Sequence, residues 1–277
     1  MARRNRHRWS DIAPGTDSPL AAAVAARDAD TLAMVADAVR GGQVTLAYQP
    51  VMIAARNSPA FWEGLLRVFD PSGRVIPAAD FIHAVETTRT GRDLDCLALG
   101  QGLAALALQP DLRLSVNMSA RSIGYPPWMK TLKQGLGADP TIAERLILEI
   151  TESSAMLVPE IVTTFMTNLQ RRGISFALDD FGAGFTAFRY LRDFQFDLLK
   201  IDGQFIRGVA DSADNQVLVR ALVSIAEQFD MFTVAEAVER PEDAAWLRDN
   251  GLDCLQGYFF AAPTIHPPWA EAGRRTG

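Results

Sequence analysis

Residues 146–180 read LILEITESSAMLVPEIVTTFMTNLQRRGISFALDD. The stretch opens on one apolar segment, LILEITE (146–152), and closes on another, SFALDD (175–180). Between them Ile161, Phe165 and Leu169 recur at helical spacing, and Gly173 supplies a stop. Strand, helix, strand is the unit from which parallel sheets are built, because parallel neighbours need a crossover connection. Both strands end in acids: Glu149 and Glu152 in the first, Asp179 and Asp180 in the second.

The same unit repeats outward in both directions. Upstream lie VTLAYQ (44–49), FWEGLLR (61–67) and LRLSVNMS (112–119); downstream lie LLKID (198–202), FTVAEAVE (232–239) and CLQGYFF (254–260). Residues 19 to 39 predict an alanine-rich helix stopped by Gly41 and Gly42. Leu218, Leu222, Ile225 and Phe229 predict a second helical stripe, and Pro241 suits the first turn of a helix ending near Gly251. Eight strands alternating with helices in one domain favour closure into a barrel, although a doubly wound sheet would alternate in the same way. A (β/α) barrel of about 250 residues accounts for a single domain over 19–265. A flexible basic tail is expected over 1–18 and a second tail over 266–277.

Composition narrows the function. The net charge is −6, and Arg3, Arg4, Arg6 and Arg8 concentrate +4 in the first ten residues, leaving −10 on the remainder. An acidic body argues against binding a nucleic acid polymer. The basic start and PLAAAVAARDAD resemble a secretory signal only superficially, since Asp11 and Asp17 interrupt it; a solvated tail is the expectation. No apolar run approaches the ~18 residues of a membrane span. Cys96 and Cys254 lie far apart in apolar surroundings, which suits reduced thiols in a cytoplasm. Three histidines, none paired with a cysteine at ligand spacing, exclude a Cys/His zinc site.

The strand ends carry the chemistry. In order they bring Glu63 and Arg67, Asn117, Glu149 and Glu152, Asp179 and Asp180, Lys200 and Asp202, Glu236 and Glu239, and Gln256. In a parallel barrel the C-terminal strand ends share one face, where active sites sit. Any one of these acids alone reads as a helix cap or a solvated loop residue. Their recurrence points instead to a carboxylate-crowded mouth, and crowded carboxylates need a neutralising charge. Oxygen donors without cysteine or histidine select Mg²⁺ or Mn²⁺, and Asp179-Asp180 is the expected bridge of a paired-metal site. The pattern alone leaves phosphate-ester cleavage and an enolase-like reaction both open.

Nine motifs in order resemble the EAL family of cyclic di-GMP phosphodiesterases. They are YQPV (48–51), EGLLR (63–67), P-x₃-FI (77–82), SVNMSAR (115–121), LEITES (148–153), ALDDFGAGF (177–185), DLLKID (197–202), VAEAVE (234–239) and QGYFFAAP (256–263). The resemblance implies a TIM-like barrel with its first strand antiparallel, cyclic di-GMP as substrate, pGpG as product, two Mg²⁺ or Mn²⁺ ions per site and a homodimer. It places metal ligands at Glu63, Asn117, Glu149, Asp179, Asp180 and Glu236. Catalytic roles fall on Glu236 as general base, on Lys200 beside the attacking water, and on Glu152 as anchor of the loop after the aspartates. Substrate contacts fall on Gln49, Leu65, Arg67, Asp180, Lys200, Glu239 and Gln256. The chain departs from the family pattern at Gly64, Val68, Asp70, Phe185, Thr186, Ala187 and Ala237, while every ligand position is kept. A degenerate receptor for the nucleotide, a protein-interaction module and a different Mg²⁺ barrel enzyme are the competing expectations. An unidentified signalling partner is a further expectation.

Overall fold

Successive side chains of a strand point to opposite faces of its sheet, and in this chain that alternation builds a closed barrel. The computed structural model describes residues 19–56, 58–182 and 191–269. The basic segment 1–18, the loop residues Phe185, Thr186 and Ala187, and residues 270–277 lie outside the described residues. The strands are β1 (Val44–Ile53), β2 (Pro59–Phe69), β3 (Val75–Pro77), β4 (Leu114–Asn117), β5 (Leu146–Thr151), β6 (Ser175–Phe181), β7 (Leu198–Ile201), β8 (Phe232–Ala235) and β9 (Cys254–Leu255). Around the barrel they run β1-β9-β8-β7-β6-β5-β4-β2, and β2 pairs back onto β1 to close it. β1 is antiparallel to both its neighbours, β2 and β9, whereas β2 and β4 to β9 are mutually parallel. All eight apolar segments read from the sequence are barrel strands. β3, a short hairpin partner on the outer part of β2, was not foreseen.

One face of each strand lines the barrel interior. Val51, Phe61, Ile147, Ala177, Leu198, Val234 and Cys254, one from each of seven strands, form a closed apolar floor. The opposite faces join the surrounding helices in the main core, where Leu148, Phe176, Leu178, Leu199 and Ile201 meet Leu103, Trp128, Phe165 and Leu222. The helix Pro19–Arg40 belongs to a smaller cluster in which Val35 and Ala38 pack with Val44, Val68, Phe81 and Leu94. At the other end of the chain, Trp269 sets its ring edge-on to Tyr48 and Trp62, with centroids 5.2 and 4.8 Å apart. The packed body therefore continues to that residue. No helix of the described residues is long and apolar enough to cross a membrane.

The crossover helices form as expected, and Phe165, Leu169 and Leu222 of the expected stripes are buried, but the end members Ile161, Leu218 and Phe229 are exposed. In the helix Pro159–Gln170 the core side is Val162, Phe165, Met166 and Leu169, with Ile161 54% exposed. In the helix Ala213–Gln228 it is Val219, Leu222, Val223 and Ala226, while Leu218 and the C-cap Phe229 face outward. The reason is geometric. A step of four residues precesses by about 40°, because a turn takes 3.6 residues, so Ile161, Leu218 and Phe229, each four residues from the next member of its row, run off the buried face.

The loops leaving β8 and β9 cross in close contact. Val238 donates its backbone N–H to the Gln256 carbonyl at 2.9 Å, and Phe259 donates to the Val238 carbonyl at 3.0 Å. Gly257 lies between these bonds, and a Cβ there would fall on the Val238 backbone. Gly257→Ala is therefore expected to destabilise the domain by about 3 kcal/mol, since backbone on both sides must shift. Urea unfolding checks this, and a midpoint equal to that of the native chain would show that the crossing has slack.

Candidate active site

Two residues along each inward face from the apolar floor, the side chain becomes polar. Phe61 gives way to Glu63, Ile147 to Glu149, Ala177 to Asp179, Leu198 to Lys200, Val234 to Glu236 and Cys254 to Gln256. On the reversed strand β1 the step runs backward, from Val51 to Gln49, and Gln49 pairs in register with Glu63. β4 contributes Asn117, in register with Glu149. A period of two thus brings eight separate strands into one polar layer above an apolar floor built from seven of them.

The layer centres on the ammonium of Lys200, which is 1% exposed. Its Nζ lies 2.7 Å from Glu149 Oε2, 2.8 Å from Glu236 Oε1, 2.9 Å from Asp179 Oδ1 and 3.4 Å from Glu63 Oε2. Burying an ammonium alone is costly. Burial by itself would lower the Lys200 pKa, but Asp179, Glu149, Glu236 and Glu63 raise it well above the ordinary lysine value. Both oxygens of Glu63 are engaged: Asn117 Nδ2 donates to Oε1 at 3.0 Å and Gln256 Nε2 to Oε2 at 2.7 Å. Burial opposes ionisation of Glu63, yet Lys200 and these two amides hold its pKa below the usual value. Gln256 also donates to Gln49 Oε1 at 3.1 Å, and Gln49 donates to the Ala261 carbonyl at 2.9 Å, so the amide chain is tied to the barrel wall.

One cation does not balance four close carboxylates. Glu149 is raised well above the carboxylate range by burial and then by Glu63. Burial pushes Glu236 up to about 8, with Lys200 opposing the shift. Asp180 reaches about 6 through burial and the adjacent Asp179. Glu149 Oε1 is buried without a hydrogen-bond partner among the described residues. Ligand atoms of Asp179, Asp180 and Glu236 lie within 4.8 Å of one another. An orphaned buried oxygen, a surplus of negative charge and an all-oxygen donor set suit a hard divalent cation.

Backbone irregularity brings the aspartates together. In a regular strand Asp179 and Asp180 would face opposite ways. Between Leu178 and Phe181, β6 carries one more residue than β7 does between Leu199 and Ile201. Asp180 takes φ +56°, in the left-handed region. Such a bulge re-aims side chains, and here it puts both carboxylates into the cavity.

The cavity is about 580 Å³ and is lined by Gln49, Glu63, Leu65, Asn117, Asp179, Asp180, Lys200, Glu236, Glu239 and Gln256 among others. Of the remaining expected site residues, Glu149 is fully buried against Lys200. Glu152 opens the short helix Glu152–Ala155, and its Oε2 accepts from the Gly182 N–H at 3.4 Å, beyond the bulge. Arg67 turns its Nη1 onto the Leu66 carbonyl at 2.8 Å and is not among the lining residues. Asp202 is a helix cap, accepting from the Gln204 N–H at 2.7 Å.

Sequence reading missed two charged groups in the wall. Asp95 is half-buried in the helix Arg89–Leu108, where it accepts from Ser119 N at 3.0 Å and Ser122 Oγ at 2.6 Å, fixing the turn after Asn117. Burial pushes its pKa up to about 6. An acid between Leu94 and Ala98 on a buried stripe was the available signal. Arg207, the other, follows a helix of four residues and carries no periodic signal.

A family model described as EAL domain matches residues 32–263. The chain is 30% identical over 234 residues to the cyclic di-GMP phosphodiesterase PdeB of Shewanella oneidensis, covering 83% of this chain and 27% of that protein. It is 30% identical over 231 residues to the cyclic di-GMP phosphodiesterase NbdA of Pseudomonas aeruginosa, covering 82% of this chain and 30% of that protein. The chain thus spans less than a third of the length of these two relatives. Among solved structures, the PaMucR phosphodiesterase in complex with c-di-GMP superposes with a TM-score of 0.74 at 28% identity, covering 85% of this chain and 97% of that one. An EAL domain protein of Listeria monocytogenes gives 0.75 at 25% identity, covering 88% and 96% respectively.

Ala237, next to Glu236, has φ +51°. The left-handed region costs an alanine about 1–2 kcal/mol, whereas the extra freedom of glycine in the unfolded chain takes back about 0.4–1 kcal/mol. Ala237→Gly is therefore expected to stabilise the domain by up to about 1 kcal/mol, raising Tm by about 2 °C. A fall in Tm on calorimetry would show that the strain is relieved elsewhere.

Proposed function

The chain belongs to the EAL domain family, and we propose that it is a divalent-cation-dependent phosphodiesterase that hydrolyses cyclic di-GMP to linear pGpG. The observation that supports this most is the converged inner layer, in which Glu63, Glu149, Asp179 and Glu236 surround one buried lysine, with Asn117 bonded to Glu63 and Asp180 beside Asp179 in the same cavity wall. These six residues would hold the Mg²⁺ or Mn²⁺, two ions on this reading, whose chemistry is to acidify a water and offset phosphoryl charge.

The protein groups divide the remaining work. Lys200, kept charged by its four neighbours, presents fixed positive charge where phosphoryl oxygens gain negative charge. Glu236 is a fifth exposed at its side chain and faces the cavity, so it is placed to take the proton of the attacking water. The water oxygen bonds to phosphorus, one ester P–O bond breaks, and the departing sugar oxygen takes a proton, opening the ring to pGpG. Gln256 and Asn117 do no proton transfer; their donated bonds fix the Glu63 carboxylate in place. Glu152, through Gly182, steadies the end of the aspartate strand. Glu239, Gln49 and Leu65 line the walls that would embrace the nucleotide, and Arg67 would reach a phosphate only by leaving the Leu66 carbonyl. On the same reading the domain works as a homodimer in the cytoplasm. Its two free cysteines, Cys96 and Cys254, suit a reducing compartment.

Incubation with cyclic di-GMP and Mg²⁺ or Mn²⁺ should yield pGpG, and EDTA should abolish it; full turnover in metal-free buffer would refute cation dependence. Glu236→Gln keeps shape but removes the proton acceptor, so kcat should fall by about 10²-fold or more with binding largely retained. A variant with native kcat would place the base elsewhere.

A further inference from the structure

Arg207 is the one guanidinium among the described residues that line the cavity. It follows the short helix Gly203–Ile206 directly after β7, so its backbone is set by the strand that carries Lys200. The guanidinium lies over Gly203: a Cβ added there would meet Arg207 Nη1 at 3.1 Å and Cζ at 3.2 Å. Its Nε is 3.4 Å from Glu239 Oε1, and the two side chains are 59% and 50% exposed. An ion pair so exposed is weak and readily exchanged.

The other cations near the cavity are placed differently: on the phosphodiesterase reading Lys200, enclosed by four carboxylates, serves the cleaved phosphate in the inner layer, and Arg67 would first have to leave the Leu66 carbonyl. The proposed substrate carries two phosphodiesters on opposite sides of one ring, and only one can sit on the acidic floor. The second must lie toward the rim, beside walls dominated by carboxylates. A planar fork of donors matches two non-bridging phosphate oxygens, which a point charge does not.

Resting on the phosphodiesterase reading above, we propose that Arg207 grips the second, uncleaved phosphodiester of the cyclic dinucleotide, exchanging its Glu239 partner for the phosphate. Arg207 then binds and orients the substrate, while bond breaking stays with the inner layer. Gly203, without a Cβ, leaves room both for Ala237 Cβ, 2.6 Å from where its own would lie, and for this guanidinium.

The test compares Arg207→Gln and Arg207→Lys with the native chain. Cyclic di-GMP binding is measured by calorimetry in Ca²⁺ at several NaCl concentrations, and turnover in Mg²⁺. Arg207→Gln should raise Kd and KM by on the order of tenfold, change kcat far less, and flatten the dependence of Kd on salt, because one charge contact is gone. Arg207→Lys should restore the salt dependence but only part of the affinity. Native Kd and KM in Arg207→Gln would overturn the proposal. So would a fall in kcat alone, which would show Arg207 acting through Glu239. Weaker binding with an unchanged salt dependence would overturn it too, by assigning the contact to a neutral part of the nucleotide. Failure of the native chain itself to bind or cleave cyclic di-GMP would instead remove the phosphodiesterase reading, and this proposal with it.

Discussion

The ammonium of Lys200 is the charge around which the interior is arranged. It is almost wholly buried and lies within 3.4 Å of Glu63, Glu149, Asp179 and Glu236, the first three in different strands and the last just past the end of a fourth. A charge held out of water is tolerated only where opposite charges and hydrogen bonds replace the water. The same holds in reverse: without the ammonium, four carboxylates would crowd one small volume. Each strand is thereby tied electrostatically to β7, on top of its backbone pairing. The surplus of carboxylate over ammonium, and the unpartnered Glu149 Oε1, make the site suited to a cation rather than to a neutral ligand.

That arrangement depends on an exact inside–outside alternation. The apolar floor of Val51, Phe61, Ile147, Ala177, Leu198, Val234 and Cys254 keeps water from beneath the polar layer. A slip of one residue in any pairing would turn its acid toward the helices and an aliphatic residue into the cavity. Barrel closure through the antiparallel β1 removes both free edges and fixes Gln49 opposite Glu63.

Two of the three left-handed non-glycine residues among the described residues lie at the rim; the third, Asp230, lies in the turn before β8. Asp180 and Ala237 both occupy the left-handed region, and the register shift of β6 falls on the aspartate pair. Strain persists only where surroundings over-determine it. Here the neighbouring loops are cross-braced: Asp95 holds the turn 119–122, Ser154 accepts from Ala120, and Glu152 holds Gly182. The mouth is thus stiffened by side-chain bonds to loop backbone, and Arg207 and Glu239, both half-exposed, form its adjustable part.

The sequence by itself determined the eight strands, their alternation with helices and the polar residues that end them. Those are local patterns: runs of β-compatible apolar residues, stops at glycine, and charged groups just past the apolar stretch, as in LILEITE and SFALDD. Read as motifs, the same residues also pointed to the family. Tertiary structure decided what local pattern cannot carry. The buried faces of the helices Pro159–Gln170 and Ala213–Gln228 keep Phe165, Leu169 and Leu222 of the expected stripes but leave Ile161, Leu218 and Phe229 outside, because the face is chosen by the surface it packs against. The partnership of Lys200 with four acids, separated from it by 21 to 137 positions along the chain, exists only once the barrel closes. Asp95 and Arg207 enter the cavity wall from a helix and from a turn, where no strand-end rule applies. Whether Asp179 and Asp180 share a side was likewise invisible, since it rests on one extra residue in one pairing and on a single positive φ.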